Sequence, residues 1–156
     1  MADKFKDLCV KIDDSILKIR ALILLHTPKG YIFEISKRDY YFALGGIIKI
    51  GETGAEACSR EIFEEIGLKG VEVKLSGLIE NFFTIDDGSE SVHELNLVFK
   101  ASINYCPEIE KLESDNKNKG FKYIKESEFD DYDIKPVILK KLIYQKGEFV
   151  HLVNRD

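Results

Sequence analysis

Residues 53–66 constrain the fold more than any other stretch, because both ends of a helix are written there. Thr53 followed three residues later by Glu56 forms a capping box, and Gly67 with Leu68 behind it forms a C-terminal stop. At about 100° per residue, Ala55, Cys58, Ile62 and Ile66 fall on one face, while Ala57, Arg60, Glu61, Glu64 and Glu65 gather on another. The first face requires an apolar partner. The second is acidic and needs either solvent or a cation.

Residues elsewhere in the chain read as a sheet that supplies the partner. Residues 16–25 are mainly aliphatic, Thr27-Pro28-Lys29-Gly30 is a turn, and residues 31–35 are again aromatic and aliphatic, which predicts a hairpin. Residues 40–44 predict a third strand running into Gly45-Gly46, where the missing side chains permit close backbone approach and a functional loop is expected to begin. Residues 71–85 and 91–103, joined through Asp86-Asp87-Gly88-Ser89-Glu90, predict a second hairpin that extends the sheet. Residues 108–120 are polar and predict an exposed, mobile loop, followed by a short strand over 121–124. Pro136 suits the first turn of a helix whose Val137, Leu139, Leu142 and Ile143 cover the sheet, with Gly147 beyond its end and a last strand over 149–153. Residues 1–14 are weakly patterned and fit a helix, a strand or an arm. The expected class is α/β, helices packed on a sheet, in one domain over 1–156.

Composition narrows the function. At 156 residues with 44% hydrophobic residues, the chain can bury a core without disulfides or a structural metal, so a metal here would serve chemistry. Cys9, Cys58 and Cys106 share no Cys-x-x-Cys spacing and leave an odd thiol, which fits a reducing, cytoplasmic compartment. The formal charge of −5, without a Lys/Arg block, argues against a nucleic-acid polymer as partner. The longest fully apolar run, residues 21–25, is far short of the roughly 20 residues that span a bilayer. No signal segment is visible, and no membrane partner is expected.

The chemistry lies in residues 46–68. Glu61, Glu64 and Glu65 stand at i, i+3 and i+4, side by side on one helical face. Their mutual repulsion is relieved by a hard divalent cation such as Mg²⁺ or Mn²⁺, which takes oxygen ligands and keeps positions for phosphate oxygens and water. Such a site suits a pyrophosphate, because metal neutralises it and supports in-line attack by an acidified water. Gly46, five residues, Glu52, seven residues, then Arg60-Glu61-Ile62-Phe63-Glu64-Glu65-Ile66-Gly67-Leu68 resembles the complete Nudix box. The surrounding order of strand, loop, helix, hairpin and late helix is also similar to the Nudix fold, which implies an α/β/α sandwich with a mixed sheet between helices.

The resemblance implies hydrolysis of a nucleoside diphosphate linked to another moiety, with Glu61, Glu64 and Glu65 as metal ligands or base. It implies a metal-binding carbonyl at Gly45, and supporting roles for Gly46, for Glu52 and for Arg60 in holding loop and helix in register. It further implies an acidic residue from a later strand as base or extra ligand, for which Glu94 is the first choice and Glu80 the second. Leu44 stands where many members carry Pro, which loosens the loop without removing a ligand. A homodimer is common among such relatives. Members that prefer ADP-ribose or diadenosine polyphosphates often carry a marker Pro or Tyr downstream of the box, and residues 69–104 contain neither. Nucleoside triphosphates, oxidised ones included, are therefore the favoured substrates, with ADP-ribose or another nucleotide sugar as the alternative. A Nudix-fold sensor that binds a nucleotide without cleaving it is the reading from a different class.

Plainer explanations cover several other features. Cys58, on the apolar helix face, reads as a small buried hydrophobe, and His93 as a strand histidine satisfied by a neighbour. Phe82 and Phe83 point to opposite sides of a strand, both core by default, although one could stack on a nucleobase. Residues 46–53 have Walker A spacing but place Glu52 where Lys is needed. Residues 115–120 open like a calcium loop but put Lys117 and Lys119 at ligand positions.

Overall fold

An apolar run without polar alternation belongs in a strand covered on both faces. Residues 21–25 lie in such a strand. The computed structural model describes residues 6–85, 87–112 and 118–156. The elements are β1 (Cys9–Ile12), β2 (Ser15–Thr27), β3 (Gly30–Ile35), β4 (Tyr41–Ile47), α1 (Gly54–Ile66), β5 (Lys74–Thr84), β6 (Ser91–Ser102) and β7 (Gly120–Ile124). A 3-10 turn (Glu126–Asp131), β8 (Ile134–Lys135), α2 (Leu139–Tyr144) and β9 (Val150–Arg155) complete them.

The sheet runs β7-β3-β4-β2-β6-β5-β9, with β1 on β2 and β8 on β4. It is mixed: β2 is antiparallel to β4 and parallel to β6. Alternate residues of β2 feed two cores. Ala21, Ile23 and Leu25 join Ala57, Cys58, Ile62 and Ile66 of α1 on one face. Leu22 and Leu24 join Phe129 of the 3-10 turn and Leu139, Leu142 and Ile143 of α2 on the other. The sheet therefore lies between helices, as expected from the sequence.

Several local expectations are corrected. The hairpin of β2 and β3 pairs only at its tip, His26 with Tyr31 and Thr27 with Gly30. Beyond the tip β4 wedges between them, pairing Leu44–Ile47 positions with β2 and Tyr41–Ala43 positions with β3. Adjacency in sequence sets the turn, whereas long-range pairing sets the sheet order. Gly45 and Gly46 lie inside β4 rather than in a loop, opposite Leu22 and Ala21. On α1, Ala57 is buried and Ala55 exposed, because Ala57 shares the core with Ala21, Ile23 and Leu25 of β2. Residues 9–12 form a strand on β2, while residues 1–5 of the weakly patterned segment lie outside the described residues. The loop over 108–120 is anchored by fully buried Ile109, and its residues 113–117, with the first half of the calcium-loop look-alike, lie outside the described residues. Pro136 precedes α2, and Val137 is 55% exposed instead of covering the sheet, whereas Leu139, Leu142 and Ile143 are buried.

The ends of α1 are built as the sequence specifies. Thr53 Oγ1 accepts from the Glu56 amide at 3.2 Å and Glu56 Oε2 accepts from the Thr53 amide at 2.7 Å. Gly67 closes the helix at φ 73° and donates to the Phe63 carbonyl. Thr53→Ala should cost about 1 kcal/mol, read as a fall in Tm of about 2–4 °C in a thermal melt.

Candidate active site

Once α1 packs through Ala57, Cys58, Ile62 and Ile66, its Glu61, Glu64 and Glu65 are turned toward β4, because they occupy the intervening positions of the same turns. A cavity of about 530 Å³ opens there, with Gly45, Gly46, Arg60 and all three glutamates in its wall. The approach of helix to strand is close. A Cβ on Gly46 would lie 2.2 Å from Glu61 Oε1, and the Gly45 amide donates to Glu65 Oε2 at 3.3 Å.

Arg60 locks this geometry. Its Nε and Nη2 grip Glu52 Oε1 and Oε2 at 2.7 and 3.0 Å, its Nη1 reaches Glu61 Oε1 at 2.6 Å, and Nη2 also donates to the Ile47 carbonyl at 3.1 Å. Glu52 in turn accepts from the Lys49 amide at 3.0 Å. One guanidinium thus ties the connecting loop to the helix, a two-pronged geometry that Lys could not supply. The hydrogen bond from Arg60 also holds the Glu52 carboxyl below the usual carboxylate range.

The three glutamates differ. Glu64 is 47% exposed and lies 3.4 Å from Arg60 Nη1. Glu61 is 14% exposed, and burial raises its pKa against the opposing pull of Arg60. Glu65 is raised well above the ordinary value, first by burial and then by Glu34 and Glu61. Among the described residues no three His, Cys, Asp or Glu side chains stand ready as a cage for an ion. The donor set nevertheless suits a hard cation: all its ligating atoms are carboxylate or carbonyl oxygens, and burial beside like charge leaves Glu65 short of a compensating positive charge.

A stability effect of opposite sign to the functional one follows for the metal-free protein. Because folding raises the Glu65 pKa, the folded chain takes up a proton before the unfolded chain does as pH falls. That contribution is fully present below the unfolded carboxylate value and is lost as pH rises through the raised folded value. In chelator at neutral pH, Glu65→Gln should therefore raise Tm and flatten its dependence on pH in the mildly acidic range. A lowered Tm at neutral pH would overturn this.

The cavity contains residues that the sequence reading missed. Glu34 of β3 is 1% exposed, accepts from Asn118 Nδ2 at 2.9 Å and lines the wall near Glu65. Its signal was a carboxylate inside the apolar run of residues 31–35, where burial without a partner is costly. Lys18, Arg20 and Lys49 place cationic side chains on the same wall. No local motif marks them, since they come from β2 and from the loop before α1.

Glu94 does not join this cavity. It is 5% exposed on β6, accepts from Asn81 Nδ2 at 3.1 Å and Asn96 Nδ2 at 3.5 Å, and lies 3.6 Å from Arg20 Nη1. It lines a second cavity of about 670 Å³, and Arg20 and Phe42 line both. Glu80 Oε2 accepts from His151 Nε2 at 2.7 Å on the outer strands. Phe82 packs on His93, with ring centroids 4.3 Å apart, and on Arg155, whereas Phe83 lines the second cavity. Cys58 is fully buried with its thiol pushed up to about 12 by desolvation, the behaviour of a small hydrophobe. No helix among the described residues is long and apolar enough to cross a membrane.

Comparison with known proteins follows the same lines. The NUDIX domain family model matches residues 17–144. Among solved structures, the mutator MutT protein from Bacillus halodurans is similar with a TM-score of 0.67 at 16% identity, covering 86% of this chain and 89% of that one. The E. coli dihydroneopterin triphosphate pyrophosphohydrolase is similar with a TM-score of 0.59 at 14% identity, covering 82% and 93%. A NUDIX hydrolase from Nitrosomonas europaea gives 0.61 at 14% identity over 88% and 79%. At these identities the likenesses show the fold. No curated protein matches the sequence.

Proposed function

The chain belongs to the NUDIX family, and from that premise we propose that it hydrolyses a pyrophosphate bond in a nucleoside diphosphate-linked substrate, with nucleoside triphosphates favoured and Mg²⁺ or Mn²⁺ as cofactor. The observation that carries this reading is the junction of α1 and β4. There Glu61, Glu64 and Glu65 meet Gly45 and Gly46 in one cavity whose wall also carries Lys18, Arg20 and Lys49. Carboxylates suited to a cation and cations suited to phosphate oxygens share a single space, the requirement for binding a metal–diphosphate unit.

In this proposal Glu61, Glu64 and Glu65, with the Gly45 carbonyl, hold the cation, and one of the carboxylates accepts the proton of the attacking water. When bound, the cation neutralises the diphosphate and acidifies a coordinated water. Arg60 fixes Glu61 against the loop through Glu52, so the ligand set is oriented before substrate arrives. Arg20, Lys18 and Lys49, which line the same cavity, orient the phosphates. The burial of Glu34 beside Glu65 adds negative charge that favours cation binding.

The test is release of phosphate, pyrophosphate or monophosphate from a panel of nucleoside triphosphates, ADP-ribose, nucleotide sugars and dinucleoside polyphosphates. It is run with Mg²⁺, with Mn²⁺ and in chelator. Metal-dependent turnover of a triphosphate supports the proposal. Turnover of ADP-ribose alone moves the substrate class, and tight binding of a nucleotide without turnover of any compound overturns it in favour of a sensor.

A further inference from the structure

The second cavity has the chemistry of a recognition pocket. Its walls include the half-buried rings of Tyr40, Phe42 and Phe83, which come from β4, the residue before it, and β5. Its floor carries the buried carboxylate of Glu94. Aromatic walls of this kind accept a flat ring and exclude water from its faces. Phe42 and Arg20 belong to both cavities, so a molecule with its phosphates among the carboxylates and cations of the first space has its other end in the second.

The floor is arranged to accept hydrogen bonds. Asn154 Nδ2 donates to Asn81 Oδ1 at 2.8 Å, which fixes the Asn81 amide so that its Nδ2 donates to Glu94 Oε2 at 3.1 Å. Asn96 Nδ2 approaches the same oxygen at 3.5 Å. Both amides thus serve Oε2. Oε1 faces Arg20 at 3.6 Å, an ion pair longer than a hydrogen bond. Beside it, Asn96 Oδ1 is buried without a hydrogen-bond partner among the described residues. A carboxylate has room for about four acceptor contacts, so Glu94 retains capacity for donors from a ligand.

We infer that this cavity receives the base of the substrate and that Glu94 selects a ring edge carrying two adjacent N–H donors, the edge that guanine presents through its ring N–H and exocyclic amino group. The inference rests on the reading of the first cavity as the phosphate site. Two parallel N–H donors match the two oxygens of a carboxylate. Adenine and cytosine place a ring-nitrogen acceptor beside their amino group, and uracil flanks its single N–H with carbonyls, so each sets a lone pair against Glu94. Setting those lone pairs against the carboxylate oxygens, with no donor to satisfy either, is the basis of the discrimination. Glu94 is a specificity residue in this assignment, and Phe42 and Phe83 hold the plane of the ring.

The test is equilibrium binding of GMP, IMP and AMP to the intact protein in chelator, by calorimetry, with neopterin added because its ring shares the guanine edge. The expected order is GMP tightest, IMP weaker for want of the amino group, and AMP weaker than GMP by about 10- to 100-fold. Neopterin binding as well as GMP identifies a pterin as a second source of the same edge, and either source supports the assignment. Glu94→Gln presents one acceptor and one donor, which matches the adenine edge, so the order of AMP and GMP should reverse in that variant. Equal affinities for GMP and AMP, no binding of any of them, or a GMP preference unchanged in a folded Glu94→Gln protein overturns the inference. The wild-type series decides even if the variant does not fold. Because no bond is cleaved in this assay, guanine-selective binding without turnover would remove the hydrolase reading and leave the pocket, whereas turnover without base preference would do the reverse.

Discussion

Glu64→Gln should lower turnover on the best pyrophosphate by about 100- to 10,000-fold, the range for removing a group that acts directly in proton transfer or charge stabilisation. The fold should survive. Glu64 is 47% exposed, and its contact with Arg60 is a 3.4 Å pair at the helix surface, so the change in stability is expected within about 0.5 kcal/mol. The amide keeps the size of the side chain and one oxygen but loses the charge that balances a divalent ion and the basicity that takes a proton. Steady-state phosphate release at saturating metal, beside a thermal melt, separates the two quantities. Retention of most of the activity in a folded variant would place the chemistry outside this helix face.

The second large effect distinguishes two neighbouring glycines. A Cβ at Gly46 would meet Glu61 Oε1 at 2.2 Å and its Cδ at 2.5 Å, so Gly46→Ala must push the Glu61 carboxylate aside and with it the Arg60 contact. The end of a side chain can yield, and the protein should fold. A displacement of about 1 Å in a catalytic group can cost about 100-fold in rate, and a loss of that size with a nearly unchanged Tm is expected. Gly45 is different. Its φ is +142°, and a Cβ there would sit 2.1 Å from the carbonyl oxygen of Ala21, an atom of the β2 ladder that has no rotamer to change. Gly45→Ala should therefore cost about 1–3 kcal/mol of stability, read as a lowered Tm that Gly46→Ala does not share. Melts and assays on both variants check the contrast, and equal losses of stability in the two would defeat it.

The difference shows what a motif contains. The box asks for a glycine at position 46, and the structure supplies the reason: helix α1 and strand β4 approach until a carboxylate occupies the space of a side chain. The glycine before it is required by the strand pairing with β2. Arg60 likewise has a structural reason in the sequence pattern, since a guanidinium eight residues after Glu52 can hold both Glu52 and Glu61. In each case spacing along the chain stands for a contact made within the continuous run of β4, its loop and α1.

The local chemistry was legible for that reason. Thr53, Glu56 and Gly67 define a helix by hydrogen bonds that span three or four residues, and Glu61, Glu64 and Glu65 share a face by helical geometry alone. The alternation of β2 between two cores was legible as a continuous apolar run. Sheet order was not, since β4 enters between β2 and β3 through pairings that no turn signal encodes. Glu34, Arg20 and Lys18 reach the first cavity from strands far from the helix in sequence, and Phe42, Phe83 and Glu94 meet in the second cavity from three strands. The sequence by itself determined the acidic helix face and its two caps, because those depend on neighbours within one or two turns. Only the tertiary structure decided what faces that helix and that Glu94 lies beyond Arg20 in an adjoining cavity, because strand pairing over long separations obeys the packing of the whole sheet.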